Sequence, residues 1–359
     1  MVRYEVVGAT TRDEQELLGL ARHLNSVNLP NDRAHVVRLL EQSAQSFSGK
    51  LSPPSRRKYV FLLRDLKLGQ AVGTSSIVAQ LGTRAAPYIF LDVIEDEKYS
   101  RRLDKHFRHK LLRLGFSYDG PSELAGLVVD PTYRRAPERL GLVISYVRFL
   151  FIATHRGLFK GELLAELLPP LEPDGTSHLW EAFGRRFTDM SYSEADRLSS
   201  EDKTFIRDLF PSGTVHASLF SPEAQAVIGK VGHQTRGVEK MLRRAGFHYS
   251  DRIDPFDGGP HFVADTDSVS LVQSSRRVPL LGLLAGAAPD SRALVARELQ
   301  APPYFRGVVA PESRLSDTGV ELPADVIEHL RLTAGDELLL LPLDARRRHG
   351  ASKPPDTSA

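Results

Sequence analysis

The stretch from Glu123 to Arg148 concentrates the residue types with the most chemical use. It opens with the β-branched apolar run Glu123-Leu-Ala-Gly-Leu-Val-Val-Asp-Pro131, continues into the basic loop Tyr133-Arg-Arg-Ala-Pro-Glu-Arg-Leu-Gly141, and ends in an apolar segment that predicts a helix over 142–155. A buried strand that stops at Asp-Pro, then arginines, then a helix N-terminus offers backbone N–H groups and a positive dipole end to an anion. Arg134, Arg135 and Arg139 add charge-assisted hydrogen bonds suited to phosphate. An acyl-CoA or nucleotide handle is held in this way. Tyr133 and Glu123 border the strand as candidate proton carriers, and His106 and His109, at i and i+3, would share a face if their segment were helical. Without a third ligand that pair makes no metal centre, and no metal is expected.

Around this unit the periodicity sets out an α/β chain. Thr11 to Leu24 carries a Thr cap, acids in its first turn and apolar residues at helical spacing, and a second helix is expected from Asp32 to about Phe47. The period then changes to that of strands over 58–65, 70–79 and 88–94, read as three antiparallel strands. Residues 95–113 are dense in charge and read either as a helix or as an irregular excursion over the sheet. Short helices are expected at 177–186, 201–209, 222–228 and 236–245, with a strand over 246–253 and the turn-rich Phe256-Asp-Gly-Gly-Pro260 behind it. This middle section repeats the α/β character of the first and reads as a possible second copy of it. From Ser275 the texture becomes short strands and turns around Leu322-Pro-Ala-Asp-Val-Ile-Glu-His-Leu-Arg-Leu332, the pattern of a small β-barrel-like domain. The expected division is 1–160, 161–272 completing the active site, 273–345, and a polar, disordered tail over 346–359.

Composition removes whole classes of function. The 359 residues include no cysteine, so disulfides, thiolate metal sites and a cysteine nucleophile are excluded, and a reducing cytoplasm fits. Basic and acidic residues nearly balance at 47 against 45 and are interleaved, which argues against nucleic acid. No apolar run reaches the about 18 residues of a membrane helix, and Met1-Val-Arg-Tyr-Glu-Val-Val has no export-signal character.

Four longer segments carry a family resemblance: Arg148-Phe-Leu-Phe-Ile-Ala153, Leu179-Trp-Glu-Ala-Phe-Gly-Arg-Arg-Phe-Thr-Asp-Met-Ser-Tyr-Ser-Glu-Ala-Asp196, Val227-Ile-Gly-Lys-Val231 and Ile253-Asp-Pro-Phe-Asp-Gly-Gly-Pro260. In this order they resemble the arginine N-succinyltransferases, over residues 1 to about 343. The resemblance implies the acyl-CoA N-acyltransferase (GNAT-like) fold, a mixed sheet with helices on both faces, and transfer of succinyl from succinyl-CoA to the α-amino group of L-arginine. Succinyl-CoA would be a co-substrate, with no permanently bound cofactor, and a homo-oligomer or a paralogous partner subunit is implied. The implied CoA-binding residues are Leu127 and Val129 through the central strand, with Arg134, Arg135, Arg139 and Gly141 from the loop; Asp257 and Gly258 are candidates for the guanidinium or α-amino end of arginine. The family's catalytic histidine lies in a Val-His-Pro-Gln-Thr segment. Here the segment is Val231-Gly-His-Gln-Thr235, so that position falls on Gly232 and His233 follows one residue later as the candidate proton donor. The alternatives are another basic amino acid such as ornithine as acceptor, or a non-catalytic homologue that binds CoA or arginine or supports a partner subunit.

Overall fold

A computed structural model describes residues 1–343 apart from 24–28, 30, 85, 173, 200–201 and 287–291. The expected tail at 346–359 lies outside the described residues. In chain order the strands are β1 (Tyr4–Gly8), β2 (Lys58–Asp65), β3 (Gln70–Val78), β4 (Tyr88–Ser100), β5 (Lys105–Ser117), β6 (Ser122–Val129), β7 (Glu162–Glu166), β8 (Thr214–His216), β9 (His248–Ile253), β10 (Pro260–Asp265), β11 (Arg276–Leu283), β12 (Ala293–Glu298), β13 (Phe305–Ala310), β14 (Arg314–Leu315), β15 (Val320–Leu322) and β16 (Glu337–Pro342). The helices are α1 (Glu14–Ala21), α2 (Arg33–Phe47), α3 (Leu140–Thr154), α4 (His178–Ala182), α5 (Gly184–Thr188), α6 (Tyr192–Ser199), α7 (Thr204–Leu209), α8 (Pro222–Val227), α9 (Arg236–Ala245), α10 (Ser270–Ser274) and α11 (Ala324–Leu330).

All strands join one mixed sheet, ordered β14-β15-β11-β16-β12-β13-β1-β2-β3-β6-β7-β10-β9-β4-β5-β8. Its centre is buried on both faces, as the near-continuous apolar run of β2 requires. Tyr59, Phe61 and Leu63 point to the side of α3, whereas Val60 and Leu62 point to the side of α1 and α2. Helix α2 is capped by the Asp32 side chain, which accepts from His35 N–H at 2.6 Å. The apolar α3 lies across β3, where Ser75 donates to the carbonyl of Ile144 at 2.6 Å.

Two expectations are revised. Residues 95–113 form neither a helix nor an irregular excursion but the outer part of the long β4–β5 hairpin. Their charges pair across strands, as with Arg108 to Glu97 at 2.7 Å, and Asp104 makes the turn at φ +46°. His106 and His109 therefore point to opposite faces. Strand β4 is not the neighbour of β3; β6 takes that edge, and β4 pairs with β5 and β9. The middle-section strands β7, β10 and β9 stand between β6 and β4 in the one sheet. At the other end β13 pairs with β1, so the C-terminal strands continue the sheet, and no pairing among the described residues closes them into a barrel.

Phe61 ties these parts together. It is fully buried, with ring centroids 5.4 Å from Phe47, 5.5 Å from Phe151 and 5.3 Å from Phe305. Phe61→Ala is expected to cost about 3–5 kcal/mol of stability, read as a lowered midpoint in urea unfolding.

Candidate functional site

The sheet opens beside β6. Strands β6 and β7 run parallel but pair only at Ser122–Leu163 and Glu123–Leu164. Beyond that point β6 bulges: its register against β3 passes from Ala125 opposite Ser76 to Val128 opposite Thr74, one residue more than on β3. Gly126 occupies the bulge at φ +57°, and a Cβ there would lie 2.9 Å from Ser76 Oγ. The extra residue bends the strand, so β6 and β7 part where Leu127 and Val129 follow. Both side chains are half-buried and pack against the α3 core.

The basic loop continues from this end of β6. Arg134 donates from Nε to the carbonyl of Val129 at 3.1 Å, pinning the loop to the strand. Arg135 and Arg139 are exposed, Arg139 standing at the start of α3 at φ +56°, and Gly141 lies in the first turn with 3.9 Å between a notional Cβ and Val129. Behind the bulge Arg148 is fully buried and donates to Ser145 Oγ at 2.7 Å and to the carbonyl of Ala125 at 3.4 Å. Burial lowers its pKa to about 9, opposed by the charge of Glu123.

Across the opening, carboxylates gather at the end of β7. Glu166 pairs in register with His261 of β10, and Asp254 and Asp257 come from the turn before that strand. The turn is rigid. Asp254 accepts from Phe256 N–H at 2.7 Å, Asp257 accepts from Gly259 N–H at 2.7 Å, and Gly258 takes φ +82°. Trp180 stacks on Phe256 at 5.1 Å and fixes this turn to the second hydrophobic core. From that core Asp196 and Tyr192 on α6 also face the turn.

Burial and mutual proximity raise the proton affinity of these acids. Burial, then the charges of Glu123 and Asp254, push Glu166 well above the usual carboxylate range, against the opposing pull of Lys203. Burial and Asp254 raise Asp257, and burial raises Asp196 to about 7. His261 is wholly inaccessible; its Nδ1 is 2.7 Å from Tyr88 Oη, its Nε2 lies 3.5 Å from Glu166 Oε1 with no hydrogen-bond partner among the described residues, and burial pushes its pKa down to about 3. Among the described residues, Glu166, Asp254 and His261 bring ligand-type atoms within 4.8 Å of one another. The charge of Lys203 acts on the same carboxylates.

The sequence named Asp257 and Gly258 here but missed Glu166, Asp254, Asp196, Lys203 and His261. One signal was present: a glutamate inside the apolar strand ending at Pro169-Pro170. Position 232 is closed to any side chain. Gly232 donates to the carbonyl of Leu168 at 2.8 Å, and a Cβ would stand 2.6 Å from the carbonyl oxygen of Pro169. His233 is exposed on the same turn, at the end of β7. A surface depression of about 410 Å³ lies elsewhere, lined by Asp92, Arg113 and Arg252, whose charges pair with one another.

The family model of the arginine N-succinyltransferase beta subunit matches residues 5–271. The arginine N-succinyltransferase of Citrobacter koseri is 32% identical over 344 residues, covering 94% of this chain and 97% of the relative, and that of Salmonella arizonae is 33% identical over 326 residues, with 89% and 92% covered. This chain belongs to the arginine N-succinyltransferase family. Among solved structures, the arginine/ornithine succinyltransferase subunit AI of Pseudomonas aeruginosa superposes with a TM-score of 0.80 at 26% identity, covering 95% of this chain and 99% of that one. The family and this likeness agree with the expected GNAT-like mixed sheet with helices on both faces.

The Asp196 shift has a stability consequence. A carboxyl raised from its usual 3.8 to about 7 binds its proton more tightly in the folded state, so its charging lowers stability as pH rises through that window. Asp196→Asn should therefore gain stability over wild type at pH 7.5 and gain little at pH 4.5, measured by urea unfolding at both.

Proposed function

We propose that this chain transfers a succinyl group from succinyl-CoA to the α-amino nitrogen of L-arginine, the opening step of arginine breakdown by the succinyl route. The observation that carries the reading is the parting of β6 from β7 at the Gly126 bulge, with arginines at one lip and buried carboxylates at the other. An anionic CoA suits the first side and an amino acid with a cationic side chain suits the second.

In this reading the loop arginines Arg134, Arg135 and Arg139, with the start of α3 at Gly141, hold the CoA phosphates. The main chain at Leu127 and Val129 lies along the acyl arm, where an N–H can polarise the thioester carbonyl. The neutral amine attacks that carbon, the C–S bond breaks, and the electron pair leaves on sulfur. Placement of two substrates supplies much of the rate, because a thiolate leaves readily. His233, on the turn bonded to Leu168, is assigned to the departing sulfur. Asp257 and Gly258 shape the acceptor side, Asp257 by holding its own turn as well as by its charge.

Ornithine is the second acceptor to test, since the solved Pseudomonas aeruginosa relative is described as an arginine/ornithine succinyltransferase. That relative's description as a subunit supports assembly with like or paralogous chains. Among the described residues no helix is long and apolar enough to cross a membrane, and a cytoplasmic location suits two water-soluble substrates.

Thiol release from succinyl-CoA is expected with arginine, less with ornithine, and to fall about a hundredfold in His233→Ala. Unchanged release in that variant would keep the enzyme and remove His233 from it. No release with arginine, ornithine or lysine from folded protein would overturn the transfer itself.

A further inference from the structure

The transfer proposed above needs a base, because the α-ammonium of an amino acid has no lone pair until it loses a proton. We infer that Glu166 is that base and that His261, clamped by Tyr88, is the positioning residue behind it. The inference rests on the acyl-transfer reading and extends it to the acceptor side of the site.

Place is the first argument. Glu166 is the last residue of β7, past the two register pairs that join β7 to β6, so it stands where the strands have parted. Its side chain is 30% exposed while His261 beside it is completely covered. A ligand entering the opening therefore reaches the carboxylate and not the imidazole.

Orientation is the second. Tyr88 Oη lies 2.7 Å from His261 Nδ1, and the stacked rings, 5.8 Å apart, hold the imidazole in plane. We assign the phenol as the donor to Nδ1, which puts the proton of the neutral ring on Nε2. Among the described residues Nε2 has no hydrogen-bond partner, and it faces Glu166 Oε1 at 3.5 Å. A buried donor left unmade is costly, so the pair is set to close into a hydrogen bond when the carboxylate carries charge.

The groups facing the pair from each packed element set its proton affinity. Glu123 on β6, with Asp254 and Asp257 on the turn, repel charge on Glu166; Lys203 before α7 favours it. Burial first, then Arg252 on β9 and Lys203, disfavour a charged His261. A carboxylate held above its usual range by such neighbours is better matched to an ammonium than an exposed one.

The step balances as follows. One proton passes from the α-ammonium to Glu166, the freed lone pair forms the N–C bond, and collapse of the adduct breaks C–S. The second nitrogen proton is lost as the amide forms. One proton ends on the CoA sulfur and the other passes from Glu166 to solvent.

Wild type, Glu166→Gln, His261→Leu and His261→Gln are to be compared for thiol release with arginine from pH 6 to 9.5, with CoA binding measured by calorimetry as the control for folding. Glu166→Gln should bind CoA as wild type does, lose about a hundredfold or more in kcat near neutrality, and recover about tenfold per pH unit as solution supplies neutral amine. His261→Leu should move the acid limb of kcat/KM to higher pH, since the carboxylate loses the donor that favours its charge, and His261→Gln should restore it. A Glu166→Gln deficit that stays constant with pH overturns the base. A His261→Leu variant that lowers kcat without moving the limb overturns the positioning role. Loss of activity on chelation with EDTA, restored by a divalent cation, overturns the assignment in favour of a metal at the same group. Absence of release from wild type with every acceptor removes the transfer reading and this one together.

Discussion

A single extra residue in β6 governs the architecture of the site. Parallel strands gain from every register pair they make, yet β6 and β7 make only two. The bulge at Gly126 turns β6 away, at a backbone conformation of φ +57° that glycine adopts without penalty. Arg148 supports the deformation from below by donating to the carbonyl of Ala125, at the cost of burying a guanidinium. A continuous ladder would leave the carboxylates at the end of β7 walled in by a neighbouring strand, and the loop arginines would face no cleft.

The carboxylates depend on a second constraint, which lies in packing and not in the sheet. When ionised, Glu166, Asp254, Asp257 and Asp196 repel one another. The backbones of Asp254, Asp257 and Asp196 are held by the stack of Trp180 on Phe256 and by the short helices around it, a core separate from the one under α3, while Glu166 is held on β7 by its pairing with β10. Apolar burial on one side thus maintains an electrostatic strain on the other. The opposing charge of Lys203 moderates it without cancelling it.

The sheet joins these two cores to the C-terminal strands. Because β13 pairs with β1, and Phe305 packs on Phe61, the last part of the chain completes the hydrophobic layer beside α3. The short strands also enclose a hydrophobic cluster of their own, with Val278, Val295, Val320 and Val326 fully or nearly buried in it, while their texture reports local turns and not which edge a strand joins. The same limit explains β4, which follows β3 in the chain while β6 takes the place beside β3 in the sheet.

The sequence by itself determined the α/β class, most helix and strand positions, the strand–basic loop–helix unit at Glu123 to Arg148, and the family. Each of these is written in a short window of spacing or in an ordered set of segments. Residues 95–113 lay beyond it, since a charged stretch whose partners stand on the opposite strand carries no local period to distinguish a hairpin from a helix. Only the tertiary structure decided which acids meet. Glu166, Asp196, Asp254 and His261 come from a strand, a helix, a turn and another strand, and what gives them proton affinities unlike their usual ones is shared burial, a property of the closed fold that no single segment possesses.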